Sequence, residues 1–187
     1  YQELARPFEQ VRWTHDLADE YDTLYPLLLH DGTIYHASFL WGLVTDEQQT
    51  SRRYDFRLEA LDTATGDVRW QFIAEKQHEE PWEAWDPNDP AFTQICVSDG
   101  VVYAPVDNAH IVAWVESTGE VLWQFGEQEA SHGFGMEPSP QISSDAVLAQ
   151  FATGVLVALD AATGQAKWEF ETGVRGVRSF VASEGVV

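Results

Sequence analysis

Three stretches of the chain align without a gap: Leu58-Glu-Ala-Leu-Asp-Thr-Ala-Thr-Gly-Asp-Val-Arg-Trp70, Ile111-Val-Ala-Trp-Val-Glu-Ser-Thr-Gly-Glu-Val-Leu-Trp123 and Leu156-Val-Ala-Leu-Asp-Ala-Ala-Thr-Gly-Gln-Ala-Lys-Trp168. Each has Ala six positions before the Gly and Trp four positions after it. An alternating strand, a turn whose glycine takes a positive φ and a second strand carrying a large aromatic to the core make a β-hairpin. Gly66, Gly119 and Gly164 are the turn glycines, and Trp70, Trp123 and Trp168 the core aromatics. Asp62 and Asp160 stand where a carboxylate accepts backbone N–H groups across the turn. Val115 replaces them in the middle copy, which predicts a weaker cap there.

A second hairpin precedes each of these, read from Leu27-Leu-Leu-His-Asp-Gly-Thr-Ile-Tyr35, Ile95-Cys-Val-Ser-Asp-Gly-Val-Val-Tyr103 and Ile142-Ser-Ser-Asp-Ala-Val-Leu148. Apolar residues flanking Asp-Gly or Ser-Asp mark a two-residue hairpin turn. Two successive hairpins make a four-stranded antiparallel meander, A-B-C-D. The repeat glycines lie 53 and 45 residues apart, a spacing that fits the blades of a β-propeller. The expected fold is therefore all-β, with blades at residues 22–72, 92–125 and 138–171. Val11-Arg-Trp13 reads as the end of a preceding blade over residues 9–21, and residues 180–187 as the start of a further one.

The pattern Ala-Leu-Asp-x-x-Thr-Gly-x-x-x-Trp resembles the repeat of the pyrroloquinoline-quinone-like (PQQ-like) β-propellers. That family includes quinoprotein alcohol dehydrogenases, an outer-membrane assembly lipoprotein and propeller regions attached to some protein kinases. The resemblance implies rings of seven or eight blades, whereas 187 residues supply about four. The chain is thus expected to be part of a larger ring, with a closed four-bladed ring as the alternative. Dehydrogenases of the family hold a quinone between a Trp and a disulfide of adjacent cysteines, with Ca²⁺ bound by Glu, Asn and Asp. The lone Cys96 cannot make that disulfide, so neither PQQ nor Ca²⁺ is expected. The resemblance favours the cell envelope or the outside of the cell over the cytoplasm.

Charge excludes other partners. Against 31 Asp and Glu stand 10 Lys and Arg, giving a net charge of −21. Such a surface repels phosphate backbones and anionic lipid, so no nucleic-acid partner is expected. No uncharged stretch is longer than residues 32–45, which are too few to span a bilayer as a helix, so no membrane insertion is expected. Lys76 and Lys167 are the only lysines, and a lysine-poor, acid-rich composition points to adaptation to high salt. Cys96, in an apolar run, reads as a small buried hydrophobe.

Loop lengths single out one face. Gly32 and Gly66 are 34 residues apart, against 19 for Gly100–Gly119 and for Asp145–Gly164, so the first blade carries an insertion after strand B. It is read as a lengthened strand B followed by a solvated loop, Thr45 to Arg53. A second insertion follows strand D, read as a loop from Ile73 to Ala91. In a meander both belong to the end carrying the B–C and D–A connections, where binding residues concentrate on a rigid scaffold. The second insertion holds His78, Trp82, Trp85, Asp86, Asn88 and Asp89, a candidate stacking platform or hard-cation site that lacks the spacing of an EF-hand. In the third connection, residues 126–140, His132 and Glu137 are candidates to face a central channel. No nucleophile elbow, phosphate loop or kinase motif is present. The expectation is a non-catalytic scaffold that presents this loop face to a protein or small ligand, or pairs with further blades or a second copy. A sensor region of a signalling protein such as a Ser/Thr kinase is the first alternative, and part of a PQQ-dependent dehydrogenase the second.

Overall fold

The computed structural model describes residues 13–15, 23–24, 27–45, 50–78, 94–106, 110–126, 140–151 and 154–173. Every regular element among them is a strand. The first sheet contains β1 (Thr23–Leu24), β2 (Leu28–His30), β3 (Thr33–Thr45), β4 (Thr50–Asp62) and β5 (Val68–His78). β1 and β2 both pair with β3, and the sheet continues through β4 to β5. The second is β6 (Cys96–Ser98), β7 (Val101–Pro105), β8 (His110–Val115) and β9 (Val121–Gly126), in that spatial order. The third is β10 (Gln141–Ser143), β11 (Ala146–Gln150), β12 (Val155–Asp160) and β13 (Ala166–Glu171), likewise a meander. All pairings are antiparallel. The three sheets follow one another along the chain, one for each copy of the repeat.

The first insertion is not a solvated loop over Thr45 to Arg53. β3 and β4 pair without interruption from Thr33↔Asp62 to Thr45↔Thr50, so the extra residues lengthen both strands of the B–C hairpin. Arg52 and Arg53 lie in strand β4, opposite Leu43 and Gly42. β5 follows them out to the pair Arg52↔His78, so Ile73–His78 continues strand D and the D–A connection begins only after His78. Once one strand is prolonged, its neighbours gain ladder hydrogen bonds by following it.

The repeat signature builds one turn three times. Gly66, Gly119 and Gly164 have φ of +79°, +71° and +70°. Each donates its N–H to the carbonyl four residues earlier, on Asp62, Val115 and Asp160, at 2.8 Å. Asp62 Oδ1 accepts from the Ala64 and Thr65 N–H groups, and Asp160 Oδ1 from those of Ala162 and Thr163. The repeated threonine accepts from the residue two further on, Asp67, Glu120 or Gln165. Bonds from Thr63, Glu116 and Ala161 N–H to the Gly32, Gly100 and Asp145 carbonyls tie each C–D turn to the A–B turn of its blade. Both turns therefore share one end of every blade, and the B–C and D–A connections leave at the other.

The core lies between blades, in two layers. Tyr35, Ala37, Leu58, Ala60 and Trp70 of the first blade pack on Val102, Ala104, Val106, Val112 and Trp114 of the second. Tyr103, Ile111, Ala113 and Trp123 of the second pack on Val147, Ala149, Phe151, Val157 and Leu159 of the third. Each layer is latched by its tryptophan. A Cβ on Gly119 would stand 2.7 Å from the Trp70 ring, and one on Gly164 2.5 Å from that of Trp123, so glycine is required for close approach as well as for φ. The indole N–H then donates to the residue after the cap position: Trp70 to the Glu116 carbonyl at 2.7 Å, Trp123 to that of Ala161 at 3.0 Å. Trp13 makes the same contact with Gly66 and donates to the Thr63 carbonyl at 3.0 Å. It thereby occupies the place of a preceding blade's strand D.

Candidate functional site

Most of the residues singled out from the sequence lie outside the described ones: Trp82, Trp85, Asp86, Asn88, Asp89, His132 and Glu137. His78 is the last residue of β5. Among the repeat residues, Trp70 and Trp123, seated on Gly119 and Gly164, are 8% exposed, and Trp168 is 43% exposed.

The structure draws attention to a place that the loop argument missed. On the face of the first blade that meets Trp13, the layer is polar. His36, Ser38 and Glu59 are buried, Glu59 at only 2% exposure. The pairs His36↔Glu59 and Ser38↔Arg57 place four polar side chains side by side on one face. Glu59 Oε2 lies 3.3 Å from His15 Nε2, two residues beyond Trp13, and 3.8 Å from His36 Nδ1, while Oε1 is 3.6 Å from the Arg57 guanidinium. Burial pushes the Glu59 carboxyl up, but the opposing effect of His36, His15 and Arg57 outweighs it and holds the group below its ordinary value. The Ser38 hydroxyl is buried without a hydrogen-bond partner.

The repeat carries the signal for this cluster. Glu59 stands where the other copies have Val112 and Val157, His36 where they have Ala104 and Ala149, and Ser38 where they have Val106 and Phe151. A charged group in a valine position is costly unless paired, and three bases surround this one. The arrangement ties the segment of residues 13–15 to β3 and β4 through charge and a hydrogen bond. Among the described residues no group of three or more His, Cys, Asp or Glu is placed to hold a metal ion.

The quinone site implied by the resemblance does not fit the described residues. The Cys96 thiol is partly buried, donates to the Pro140 carbonyl at 2.8 Å, and is pushed up by burial to about 11, so it is neither a disulfide partner nor a nucleophile at neutral pH. Trp114 is fully buried in the layer between blades, edge-on to Phe72 at 5.1 Å, and offers no face to a cofactor.

Elsewhere the ionisable groups serve the turns. The Arg69 guanidinium at 2.7 Å, helped by two backbone N–H groups, brings Asp62 down to about 2. Lys167 Nζ bonds Asp145 at 2.7 Å and lies 3.2 Å from Asp160. The middle turn has Val115 and Leu122 in place of such a pair. Burial and the Glu116 carboxylate, 2.9 Å from its hydroxyl, raise the Tyr35 phenol.

Four-stranded antiparallel blades, each latched to the next by a tryptophan on a turn glycine, define a β-propeller of PQQ-like repeats. The chain belongs to the family described as outer membrane protein assembly factor BamB, which it matches over residues 5–180. It is 28% identical over 152 residues to the Ser/Thr protein kinase AfsK of Streptomyces griseus, covering 79% of this chain and 16% of the kinase. In fold it resembles a europium-containing methanol dehydrogenase, with a TM-score of 0.53 and 16% identity over 80% of this chain and 25% of that one. It likewise resembles the quinohemoprotein alcohol dehydrogenase of Comamonas testosteroni, with a TM-score of 0.53 and 18% identity over 81% of this chain and 21% of that one. The chain thus spans a quarter or less of each of these three proteins. No helix among the described residues is long and apolar enough to cross a membrane.

Proposed function

We propose that the chain is a non-catalytic, salt-adapted propeller scaffold that presents the B–C and D–A connections to a protein or a small ligand. One observation carries this reading: the same latch recurs at three successive junctions, with Trp13, Trp70 and Trp123 each seated on a glycine and bonded to a carbonyl. A platform so repetitive holds its turn end rigid and leaves length variation to the opposite end, where the extended hairpin β3–β4 emerges and where the Trp82–Asp89 segment begins beyond His78. The family relationship favours an extracytoplasmic place of work, in the cell envelope or outside it.

Addition of quinone and Ca²⁺ with an electron-acceptor dye tests the absence of catalysis. The expected result is no alcohol-dependent dye reduction and no change in quinone absorbance; turnover would overturn the scaffold reading. Similarity to a Ser/Thr kinase supports a second reading, a regulatory propeller attached to a signalling protein. The complete reading frame separates the two, because a kinase domain in the same polypeptide belongs to the second reading alone.

A further inference from the structure

Three indole N–H groups make the same latching bond in different surroundings. Trp13 donates to the Thr63 carbonyl at 3.0 Å, Trp70 to that of Glu116 at 2.7 Å and Trp123 to that of Ala161 at 3.0 Å. Beside Trp70 and Trp123 the layer is apolar. Phe72 meets Trp114 with ring centroids 5.1 Å apart, and Phe125 meets Phe151 at 5.9 Å. Val112 and Val157 stand there in the place of Glu59. The Trp70 junction does have a carboxylate, Glu116, which accepts the Tyr35 hydroxyl at the turn end. Its side chain is 22% exposed, against 3% for that of Glu59, so water reaches it. At the Trp123 junction the same position is Ala161.

Beside Trp13 the layer depends on one negative charge. His15 Nε2 at 3.3 Å and His36 Nδ1 at 3.8 Å share Glu59 Oε2, and the Arg57 guanidinium lies 3.6 Å from Oε1. The neighbour of Glu59 on β5 is Gln71, which does not titrate. The buried Ser38 hydroxyl adds a group without a hydrogen-bond partner. Burial pushes the Glu59 carboxyl up, and His36, His15 and Arg57 hold it below its ordinary 4.5, so the anion persists until the pH falls through that lowered value. Acid strong enough to neutralise it also charges imidazoles. Two imidazolium groups and a guanidinium then face a neutral carboxyl in a place shielded from water, which is costly. His36 and Arg57 belong to the uninterrupted β3–β4 ladder and stay where they are. His15 belongs to a segment attached through the Trp13 latch and the Glu59 contact, so moving that segment relieves the excess charge at least cost.

We infer that the His15–Glu59–His36 layer is an acid-operated release for the segment of residues 13–15: protons take the segment off the first blade while the latches of Trp70 and Trp123 stay closed. The device depends on the composition of one junction and holds for a scaffold and for a regulatory module alike.

The latching indoles are themselves the reporters. Hydrogen–deuterium exchange of their N–H groups is followed by NMR in the 187-residue chain, from neutral pH to below the ordinary 4.5 of a glutamate, in molar KCl to mute the surface charge. Trp13→Phe, Trp70→Phe and Trp123→Phe assign the resonances. Protection of the Trp13 N–H relative to that of Trp123 is expected to fall about tenfold or more on acidification, as for loss of a hydrogen bond to a charged group. Glu59→Gln is expected to show the low Trp13 protection at neutral pH already, with no further loss in acid. A second variant copies the junction between the second and third blades through His15→Phe, His36→Ala, Ser38→Phe, Arg57→Val and Glu59→Val. In it Trp13 is expected to remain as protected as Trp123 throughout. Trp13 and Trp123 opening together in acid, a Trp13 protection indifferent to pH, or an unchanged acid loss in the second variant overturns the proposal. The parent chain alone decides the first two outcomes, so the test does not depend on either variant folding.

Discussion

Glu59 shows how one substitution in a repeat redirects a junction. Its carboxylate replaces a valine, and His15, His36 and Arg57 replace the apolar contacts that the other copies make. Glu59→Gln keeps the shape and removes the charge, and should cost about 1.5–3 kcal/mol in denaturant unfolding, the range for hydrogen bonds to charged groups. The group is held below its ordinary 4.5, so its contribution is complete above that value and is lost as the pH falls through the depressed one. The stability gap between parent and variant should therefore be largest near neutrality and close in acid; a gap unchanged down to the lowest pH at which the protein folds would contradict the ion-pair account. Glycines allow an equally sharp contrast. Gly119→Ala imposes a positive φ on alanine and a 2.7 Å contact with Trp70, together about 2–5 kcal/mol. Gly100→Ala, at φ +75° with nothing within 4 Å of the new Cβ, should show only the backbone part, about 1–2 kcal/mol. Equal losses in the two variants would mean that the tryptophan contact does not stabilise the junction. Sequence reasoning reached these glycines through their turn chemistry, but it did not reach their second role, because the ring that needs the space comes from the preceding blade.

At the scale of the element, the C–D hairpin varies within a fixed backbone. The bulge between Ala60 and Leu61 recurs between Ala113 and Trp114 and between Ala158 and Leu159, placing Arg69, Leu122 and Lys167 at equivalent positions beside the turn. Where the bulge residue is a cation the cap position is aspartate, and where it is Leu122 the cap position is Val115. Val115→Asp with Leu122→Arg should install the Asp62–Arg69 arrangement in the middle blade and raise Tm by about 1–3 °C, with each single change giving less. A double variant no more stable than the parent would show that the turn is already optimal without its pair. Strands, turns and blade order were legible because period-two alternation and Asp-Gly or Thr-Gly turns are local signals. The continuation of β3, β4 and β5 was not, because their extra residues pair through a ladder that depends on three segments at once. The Glu59 cluster was visible as a break in the aligned repeat. It escaped notice because the acidic residues were read together as surface, a view that holds for Asp62 at an exposed turn and fails for a carboxylate 2% exposed.

The whole molecule carries a net charge of −21 on 187 residues, and Glu59 is the one buried carboxylate among the described residues. Excess charge of one sign opposes compaction, and the opposition falls as salt shortens the screening length from about 10 Å at 0.1 M to about 3 Å at 1 M. The pairs at Arg69 and Lys167 weaken under the same screening, but with 31 Asp and Glu against 10 Lys and Arg the like-charge repulsion that salt relieves is the larger effect. The balance favours stabilisation: Tm should rise by at least about 5 °C between 0.1 M and 2 M KCl at neutral pH, roughly 2 kcal/mol for a chain of this size. Chloride is the appropriate anion, because sulfate would add its own effect on apolar burial. Neutralising the carboxylates removes the cause, so the same salt increment should produce a much smaller rise near pH 4. A Tm flat in KCl at neutral pH, or a rise of equal size at both pH values, would mean that the acidic surface is not what limits stability and that the composition carries no adaptation to salt.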